Sequence, residues 1–260
     1  MTGKIKINFK DYLSEVYDKP AKIHEAFSLF HEFSWNNRIL AESQLIAPEP
    51  INTYKGWLAL GRQVKKGSKA IKLLMPVKVK SKNSGKDEEE EKTTFIRFIE
   101  KPYWFGLSQT EGKEFEVPAI SNFNLKEALK NLGIEQEEFQ SLDGNCLGYA
   151  KPNLKVVAVN PLSPDPNKVF FHEMAHCLLH NDSDKIVDGK KLDNSLKEFE
   201  AETATYLVSC SLAQFENLEY SRGYIVGWIK KENIEEKNFK RAFDAANKIL
   251  KAGLVEGEGR

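Results

Sequence analysis

His172-Glu173-Met174-Ala175-His176 is the segment from which the C-terminal half of the chain can be interpreted. Two histidines four positions apart on a helix lie one turn from each other, so both imidazoles can reach a single ion. Zn²⁺ binds imidazole nitrogens at about 2.0–2.1 Å. Glu173 stands beside such an ion and can take a proton from a water that the metal activates. A chain of this composition would contain the spacing by chance only about 0.01 times. The segment therefore predicts a zinc site with Glu173 as the catalytic base.

The sequence on either side of this motif carries the signals of further helices and strands. Asp165 can cap a helix and Pro166 suits the first helical position, which predicts a helix over 167–180. The remaining predicted elements are two short helices within 124–141, strands at 145–150 and 155–160, and helices over 196–212 and 235–252.

A catalytic zinc site has three protein ligands and one open position, so a third ligand must come from another part of the chain. The candidates are the glutamates of Glu198-Phe-Glu-Ala-Glu202, a segment that begins 22 residues after His176. On a helix, Glu198 and Glu202 share one face, whereas Glu200 points elsewhere. The spacing alone leaves all three glutamates open as the third ligand.

The same segment resembles the helix of zinc peptidases whose third ligand is a glutamate, where the pattern Glu-x-x-Ala-Asp/Glu is common. The resemblance implies that Glu198 binds the metal and that Glu202 hydrogen-bonds a metal-bound histidine. Glu202 and Glu200 remain the alternative ligands. His180 extends the histidine stripe by one more turn, and a place at the helix end or behind a ligand is favoured over a ligand role.

The overall composition excludes several classes of protein. Lys plus Arg and Asp plus Glu are 38 each, so a uniformly basic nucleic-acid-binding protein is excluded, although a local basic face is not. No segment reaches the roughly 18 apolar residues that cross a bilayer, and the first 17 residues lack the apolar core of a secretory signal. Three scattered cysteines suit a reducing compartment. We therefore expect a soluble, cytoplasmic protein with no membrane partner.

The N-terminal half has the pattern of helices followed by a hairpin. Residues 10–46 show helical spacing of apolar side chains, and residues 54–62 a short helix or turn. Residues 70–82 alternate between apolar and lysine side chains, and residues 93–107 form a second, aromatic-rich strand. The acidic segment 84–92 between them is expected to be the tip of an antiparallel hairpin.

A basic run crosses this region. From Arg62 to Lys86 there are nine basic residues and no acidic one, and Trp35, Tyr54 and Trp57 precede the run. Lysine and arginine can neutralise phosphates while aromatic rings stack on unpaired bases, a combination that suits single-stranded nucleic acid. The alternatives are a solubilising strand edge and tryptophans that belong to the core.

Four segments of this half together resemble a known family: Phe33-Ser-Trp-Asn-Asn37, Tyr54-Lys-Gly-Trp57, Leu60-Gly-Arg-Gln-Val-Lys-Lys-Gly67 and Phe105-Gly-Leu-Ser-Gln-Thr110. They are similar, in the same order, to the N-terminal single-stranded-DNA-binding domain of ArdC-type antirestriction proteins, which plasmids and phages carry. The second domain of that family is a zincin-like metallopeptidase, to which HEMAH and the glutamate segment are similar. The acidic hairpin tip departs from the pattern and is expected not to touch DNA.

The resemblance implies that aromatic, amide and basic side chains of these segments contact single-stranded DNA. The candidate residues are Trp35, Asn37, Tyr54, Trp57, Arg62, Lys65, Lys66, Lys69 and Gln109.

These observations predict an α+β protein of two domains. Residues 1–120 would form an ArdC-like domain with helices on a small antiparallel sheet, and residues 121–260 a mostly helical, zincin-like metallopeptidase domain. The leading hypothesis is an antirestriction-type protein of a mobile element that binds single-stranded DNA and uses Zn²⁺ to hydrolyse a protein substrate. Two alternatives stay open: a dedicated zinc protease that cleaves a repressor or host factor, and a purely DNA-binding protein with a non-catalytic zincin domain.

Overall fold

The computed structural model of the chain describes residues 24, 27, 29–30, 33–47, 49–80, 94–116, 122–141, 145–181, 193–214, 218–231 and 234–255. Its contacts divide into two compact units, Leu29–Pro118 and Ala119–Arg260 with Met1–Ser28. Each unit contains helices and small sheets, which confirms the predicted α+β class. The assignment of separate functions to 1–120 and 121–260 stays a prediction. Within the described ranges, no helix has both the length and the apolar character that a membrane span requires.

The N-terminal unit consists of short helices and two small antiparallel sheets. Its elements are α1 (Trp35–Glu42), β1 (Ile51–Thr53), α2 (Tyr54–Ala59), β2 (Arg62–Val64), β3 (Ile71–Lys80), β4 (Thr94–Gly106), a 3₁₀ turn (Leu107–Gln109) and β5 (Thr110–Gly112). One sheet has the order β1-β4-β3, and β2 pairs with β5 in the other. The predicted hairpin is confirmed, because β3 and β4 are antiparallel with Lys78 opposite Ile96. Its acidic tip lies outside the described residues, as do most residues before Trp35 in the predicted helical segment.

Helix α1 covers the outer edge of β3 with two amide side chains. The Asn37 side chain accepts a hydrogen bond from the Leu74 amide at 2.8 Å and donates one to the Leu74 carbonyl at 3.0 Å. Gln44 makes the same pair of bonds with the backbone of Lys72, at 3.0 and 2.9 Å. Each amide thus replaces one residue of a neighbouring strand, which satisfies edge groups that would otherwise be exposed for pairing.

The C-terminal unit is mostly helical. Its elements are α3 (Leu125–Leu132), β6 (Glu135–Gln136), β7 (Gly148–Lys151), β8 (Val156–Val159), α4 (Pro166–Leu179), α5 (Asn194–Ser211), α6 (Leu218–Lys231) and α7 (Glu236–Gly253). The sheet has the order β6-β8-β7, with β6 parallel and β7 antiparallel to β8. The prediction of two helices within 124–141 is wrong. Gly133, at φ +62°, ends α3, and the chain then pairs with β8 as β6.

The helices that carry the motifs form the core of this unit. The Asp165 side chain accepts a hydrogen bond from the Lys168 amide and Pro166 is the first helical residue, so the predicted start of α4 is confirmed. Helices α4, α5 and α7 pack against one another. Ala201 and Ala204 of α5 are completely buried, and their small side chains let the neighbouring helices approach closely.

Candidate metal centre

Helices α4 and α5 bring three potential metal ligands together. The Nε2 atoms of His172 and His176 lie 3.1 Å apart, as expected for ring nitrogens one helical turn apart. The Glu198 carboxylate faces both rings, with its oxygens 3.3 Å from His172 Nε2 and 3.4 Å from His176 Nε2. All three donor groups lie within 4.8 Å of one another.

The separation of the two Nε2 atoms is close to that in a tetrahedral site, because ligands at about 2.0–2.1 Å from Zn²⁺ lie about 3.3–3.4 Å from each other and these atoms are 3.1 Å apart. The contacts of 3.3 and 3.4 Å go to different Glu198 oxygens, so each oxygen faces one of the two rings. Two imidazoles and one carboxylate are also a donor set that leaves a fourth position for water or substrate. The structure thus brings together the three residues proposed as ligands, and their role in metal binding stays a prediction.

The ionisation of Glu198 and His172 reflects their proximity. Hydrogen bonds with both histidines lower the pKa of the Glu198 carboxyl well below its usual range, so this group is an anion at neutral pH. Burial acts to lower the pKa of His172, but hydrogen bonds with Glu198 and Glu202 outweigh it and raise that pKa to about 10. In the metal-free protein His172 is therefore protonated at neutral pH, and a metal must displace this proton.

Glu202 lies behind His172, on the side away from the other donors. One of its oxygens is 3.1 Å from His172 Nδ1, and the other is 3.9 Å from the ammonium group of Lys168. This is the position expected for a residue that orients a ligand histidine. Lys168 was not among the residues singled out from the sequence, although it stands four positions before His172 and so continues the histidine stripe.

His180 and Glu200 form a second group, behind His176. His180 Nδ1 lies 2.8 Å from His176 Nδ1, and His180 Nε2 lies 3.2 Å from a Glu200 oxygen. Burial lowers the pKa of His180, which keeps this imidazole neutral. Neither residue belongs to the three-donor cluster, by which we mean His172, His176 and Glu198. Two residues of α7, Asn238 and Arg241, hold the Glu200 carboxylate, and no local pattern in the sequence pointed to them.

Glu173 lies at the wall of a cavity of about 450 Å³ that also contacts His172 and Glu202. The residue is 8% exposed, and burial raises the pKa of its carboxyl, as suits a general base that works near neutral pH. Gly148 of β7 lines the same cavity. A Cβ at this position would come within 2.5 Å of Val169 and 3.2 Å of a Glu173 oxygen, so only glycine allows the strand to lie this close to α4.

The N-terminal unit buries two of the aromatic residues proposed to contact DNA. Trp35 and Trp57 are each 1% exposed, and the Trp57 indole N–H donates to the Phe105 carbonyl at 2.8 Å. A ring buried to this extent offers no face to a nucleotide base. Tyr54, by contrast, is exposed, and its hydroxyl accepts a hydrogen bond from Gln63.

Three polar candidates are engaged within the unit. Both ends of the Asn37 amide bind the backbone of β3. The Gln109 amide accepts from the Gly106 N–H and donates to the Lys69 carbonyl. The Arg62 guanidinium donates to the side chain and carbonyl of Thr110 and to the Lys113 carbonyl.

The basic residues that follow are exposed. They are Lys65, Lys66 and Lys69, and the turn between them passes through Gly67 at φ +87°. The Lys65 ammonium group donates to the Ser108 carbonyl. Of the nine candidate residues, Tyr54 and these three lysines are exposed, whereas the two tryptophans are buried. DNA contact by the exposed residues stays a prediction.

The N-terminal part of the chain matches a described family. Residues 19–105 match the model of the N-terminal domain of anti-restriction factor ArdC, so this part of the chain is similar to that domain. The predicted resemblance to ArdC-type proteins is thus confirmed. An uncharacterized protein of Bacillus anthracis is 24% identical over an alignment that covers 87% of this chain and 46% of the relative. The chain therefore spans about half the length of the curated relative that it matches.

Two solved structures are similar to the chain as a whole. The Mn(II)-bound crystal structure of the antirestriction protein ArdC from plasmid R388 has a TM-score of 0.50 and 15% sequence identity, and the match covers 95% of this chain and 98% of that one. Its metal-free structure has a TM-score of 0.47, 15% identity and coverage of 92% and 95%. The match to the Mn(II)-bound structure shows a shared fold.

Proposed function

We propose that this chain is an antirestriction protein of a mobile element, which binds single-stranded DNA through its N-terminal unit and hydrolyses a protein substrate at a zinc site in its C-terminal unit. The observation that carries the proposal is the three-donor cluster of His172, His176 and Glu198, with Glu173 at the adjoining cavity. The ArdC-type domain over residues 19–105 supports the antirestriction role. The Mn(II)-bound crystal structure of ArdC supports a divalent metal in the related fold.

The three donors would hold the metal, and the residues around them have separate tasks. When bound, zinc would supply the positive charge that polarises a carbonyl and acidifies water. Glu173 would accept the proton of the attacking water and pass it to the leaving amine. Glu202 orients the His172 ring by its contact with Nδ1. Glu173 is itself 8% exposed, which limits the contact of its carboxylate with bulk water.

The sheet next to the cavity suits an extended peptide. Strand β7 is one of the two outer strands in the order β6-β8-β7, and its first residue, Gly148, lines the cavity beside Glu173 together with the preceding Leu147. A peptide that adds to such an edge gains main-chain hydrogen bonds. This arrangement favours a peptide bond as the scissile bond over an ester or a small-molecule amide.

A second candidate function is a dedicated zinc protease, acting in the cytoplasm on a repressor or a host factor. The observation that favours it is the burial of Trp35 and Trp57, which leaves the N-terminal unit with fewer groups for DNA than its sequence suggested. The third possibility, a non-catalytic zincin domain, gives Glu173 no task, because a purely structural site needs no base beside it.

Glu173→Gln tests the proposal. The substitution preserves the shape of the side chain and removes the base, so zinc content, folding and DNA binding should persist. Proteolysis, measured as self-cleavage or cleavage of a denatured protein with and without single-stranded DNA, should fall by about 10²–10⁴-fold. In cells with a restriction system, the variant should also fail to protect incoming DNA. Full protection by Glu173→Gln would show that hydrolysis has no part in the antirestriction function.

A further inference from the structure

His176, His180 and Glu200 form a continuous line of hydrogen bonds that leads from the donor cluster into the core. The two imidazoles meet through their Nδ1 atoms at 2.8 Å, and His180 reaches Glu200 through Nε2 at 3.2 Å. The side chain of His180 is 3% exposed and that of Glu200 is completely buried. Helix α4 supplies His176, its C-cap residue is His180, and helix α5 supplies the glutamate.

Metal binding at His176 fixes every proton in this line. A neutral imidazole that offers the Nε2 lone pair carries its proton on Nδ1. His176 Nδ1–H must then donate to His180 Nδ1, which leaves the His180 proton on Nε2. That N–H faces a Glu200 carboxylate oxygen, which can only accept. With His176 bound to the metal, one arrangement of protons thus pairs every N–H donor of the line with an acceptor.

The far end of the line is held rigidly. Asn238 donates to one Glu200 oxygen at 2.7 Å, and Arg241 Nε lies 3.0 and 3.2 Å from the two oxygens. The Arg241 guanidinium also donates to the Leu179 carbonyl at the end of α4. The line therefore joins three helices, and the carboxylate cannot turn away from His180 without losing these bonds.

We propose that His180 and Glu200 are positioning residues of the metal centre, which set the tautomer and the ring orientation of His176 so that its Nε2 lone pair points at the ion. The proposal rests on the metal site put forward above. It gives the two ligand histidines different supports, because a carboxylate holds His172 directly whereas a neutral imidazole stands between His176 and its carboxylate.

Zinc affinity of the full chain, measured by competition with a chelator, tests this role. His180→Leu removes the acceptor for His176 Nδ1–H and should weaken zinc binding by about 10–100-fold, the usual effect of removing a residue that orients a ligand. His180→Asn places an amide oxygen near the position of Nδ1 and should restore the affinity to within about threefold of wild type. Nitrogen-15 imidazole spectra of the zinc-loaded protein should show His180 protonated on Nε2, and Glu200→Gln should add the second tautomer.

Ser211→Ala is the matched control. It removes a buried hydrogen bond to the Leu207 carbonyl at the end of α5, away from the line, so it should lower stability and leave zinc affinity within about threefold. Equal affinity in His180→Leu and wild type would overturn the proposal. A loss of zinc in Ser211→Ala that matches the loss in His180→Leu would also overturn it, because the effect would follow stability alone. If the wild-type chain binds no zinc, the metal site itself is wrong.

Discussion

Glu198 and Glu202 stand on one face of α5 and have different surroundings. Glu198 faces both Nε2 atoms of the histidine pair, whereas Glu202 contacts His172 Nδ1 and lies near Lys168. Glu198 is thus a candidate ligand, whereas Glu202, four residues later on the helix, orients a candidate ligand. Truncation of Glu198 should remove a bond to the metal. Truncation of Glu202 should only remove the hydrogen bond that orients the His172 ring.

This difference predicts the order of zinc loss. Glu198→Ala should abolish most zinc binding, and Glu202→Gln should weaken it by about 10–100-fold. Glu219→Ala, at an exposed position of α6, is the control and should leave the affinity unchanged. Chelator competition and elemental analysis of the folded proteins measure the three effects. If Glu202→Gln loses more zinc than Glu198→Ala, the two roles are reversed.

Proton release should accompany zinc binding. The pKa of His172 is about 10 in the metal-free protein, above the ordinary value of 6.5. The proton therefore stabilises the metal-free fold fully below pH 6.5, and this stability is lost as the pH rises towards 10. Zinc affinity should change in the opposite direction and rise by up to about tenfold per pH unit in this window.

Calorimetry in two buffers with different ionisation enthalpies counts the released protons at pH 7. We expect about one proton from His172 per zinc ion. Thermal unfolding of the metal-free protein at several pH values between 6.5 and 10 should show a decreasing midpoint. Zinc binding without proton release at pH 7 would contradict the protonated state of His172.

At the level of elements, the edge of β3 depends on α1. Asn37→Ala would leave the amide and carbonyl of Leu74 without this partner, and the loss of a part-buried hydrogen bond costs about 0.5–1.5 kcal/mol. We expect a lower free energy of unfolding and faster hydrogen exchange of the Leu74 amide. The Leu58→Ala variant, which shortens a half-exposed side chain of α2, is the control and should leave that exchange rate unchanged.

The Asn37→Ala variant also distinguishes a structural role of Asn37 from a role in DNA binding. If Asn37 only holds the sheet edge, DNA affinity of the folded variant at low temperature should equal that of wild type. A large loss of affinity with normal protection of Leu74 would restore Asn37 as a DNA-contact residue.

Elements with a strong local signal could be predicted from the sequence. The hairpin of β3 and β4 follows from alternation, and α4 from its cap, its proline and the histidine spacing. The two-residue strand β6 could not be predicted, because it exists only through pairing with β8. Helix α6 was also missed, since Gly223 and Gly227 interrupt its helical pattern.

In the candidate metal centre, too, only residues with a local sequence signal could be predicted. The spacing within α4 and α5 was sufficient to choose the residues that the structure brings together, because periodicity on a helix fixes which side chains share a face. Arg241 and Asn238 come from α7, 41 and 38 residues after Glu200, and no local pattern links them. The burial of Trp35 and Trp57 is likewise set by tertiary packing, which a count of aromatic residues near lysines does not report.

At the scale of the whole molecule, a net charge of zero must be reconciled with binding to a polyanion. Residues 1–120 contain 20 basic and 16 acidic residues, so the basic excess is modest and local. Binding should therefore depend on the exposed lysines of one turn, and not on the overall field of the chain. Lys65 and Lys66, two adjacent exposed lysines at this turn, are the best place to test the idea.

Lys65→Glu with Lys66→Glu should lower the affinity for single-stranded DNA and reduce its dependence on salt. Each phosphate neutralised on a single strand contributes about 0.7 to the slope of log affinity against log salt, so the double variant should lose about 1.4 from that slope. The control is Lys126→Glu with Lys130→Glu, two exposed lysines of the C-terminal unit whose replacement changes the net charge equally. Fluorescence anisotropy at several salt concentrations measures both, with duplex DNA of the same length as a weaker ligand. Equal loss in the two double variants would mean that total charge governs binding, and absence of binding at low salt would remove DNA from the function of this chain.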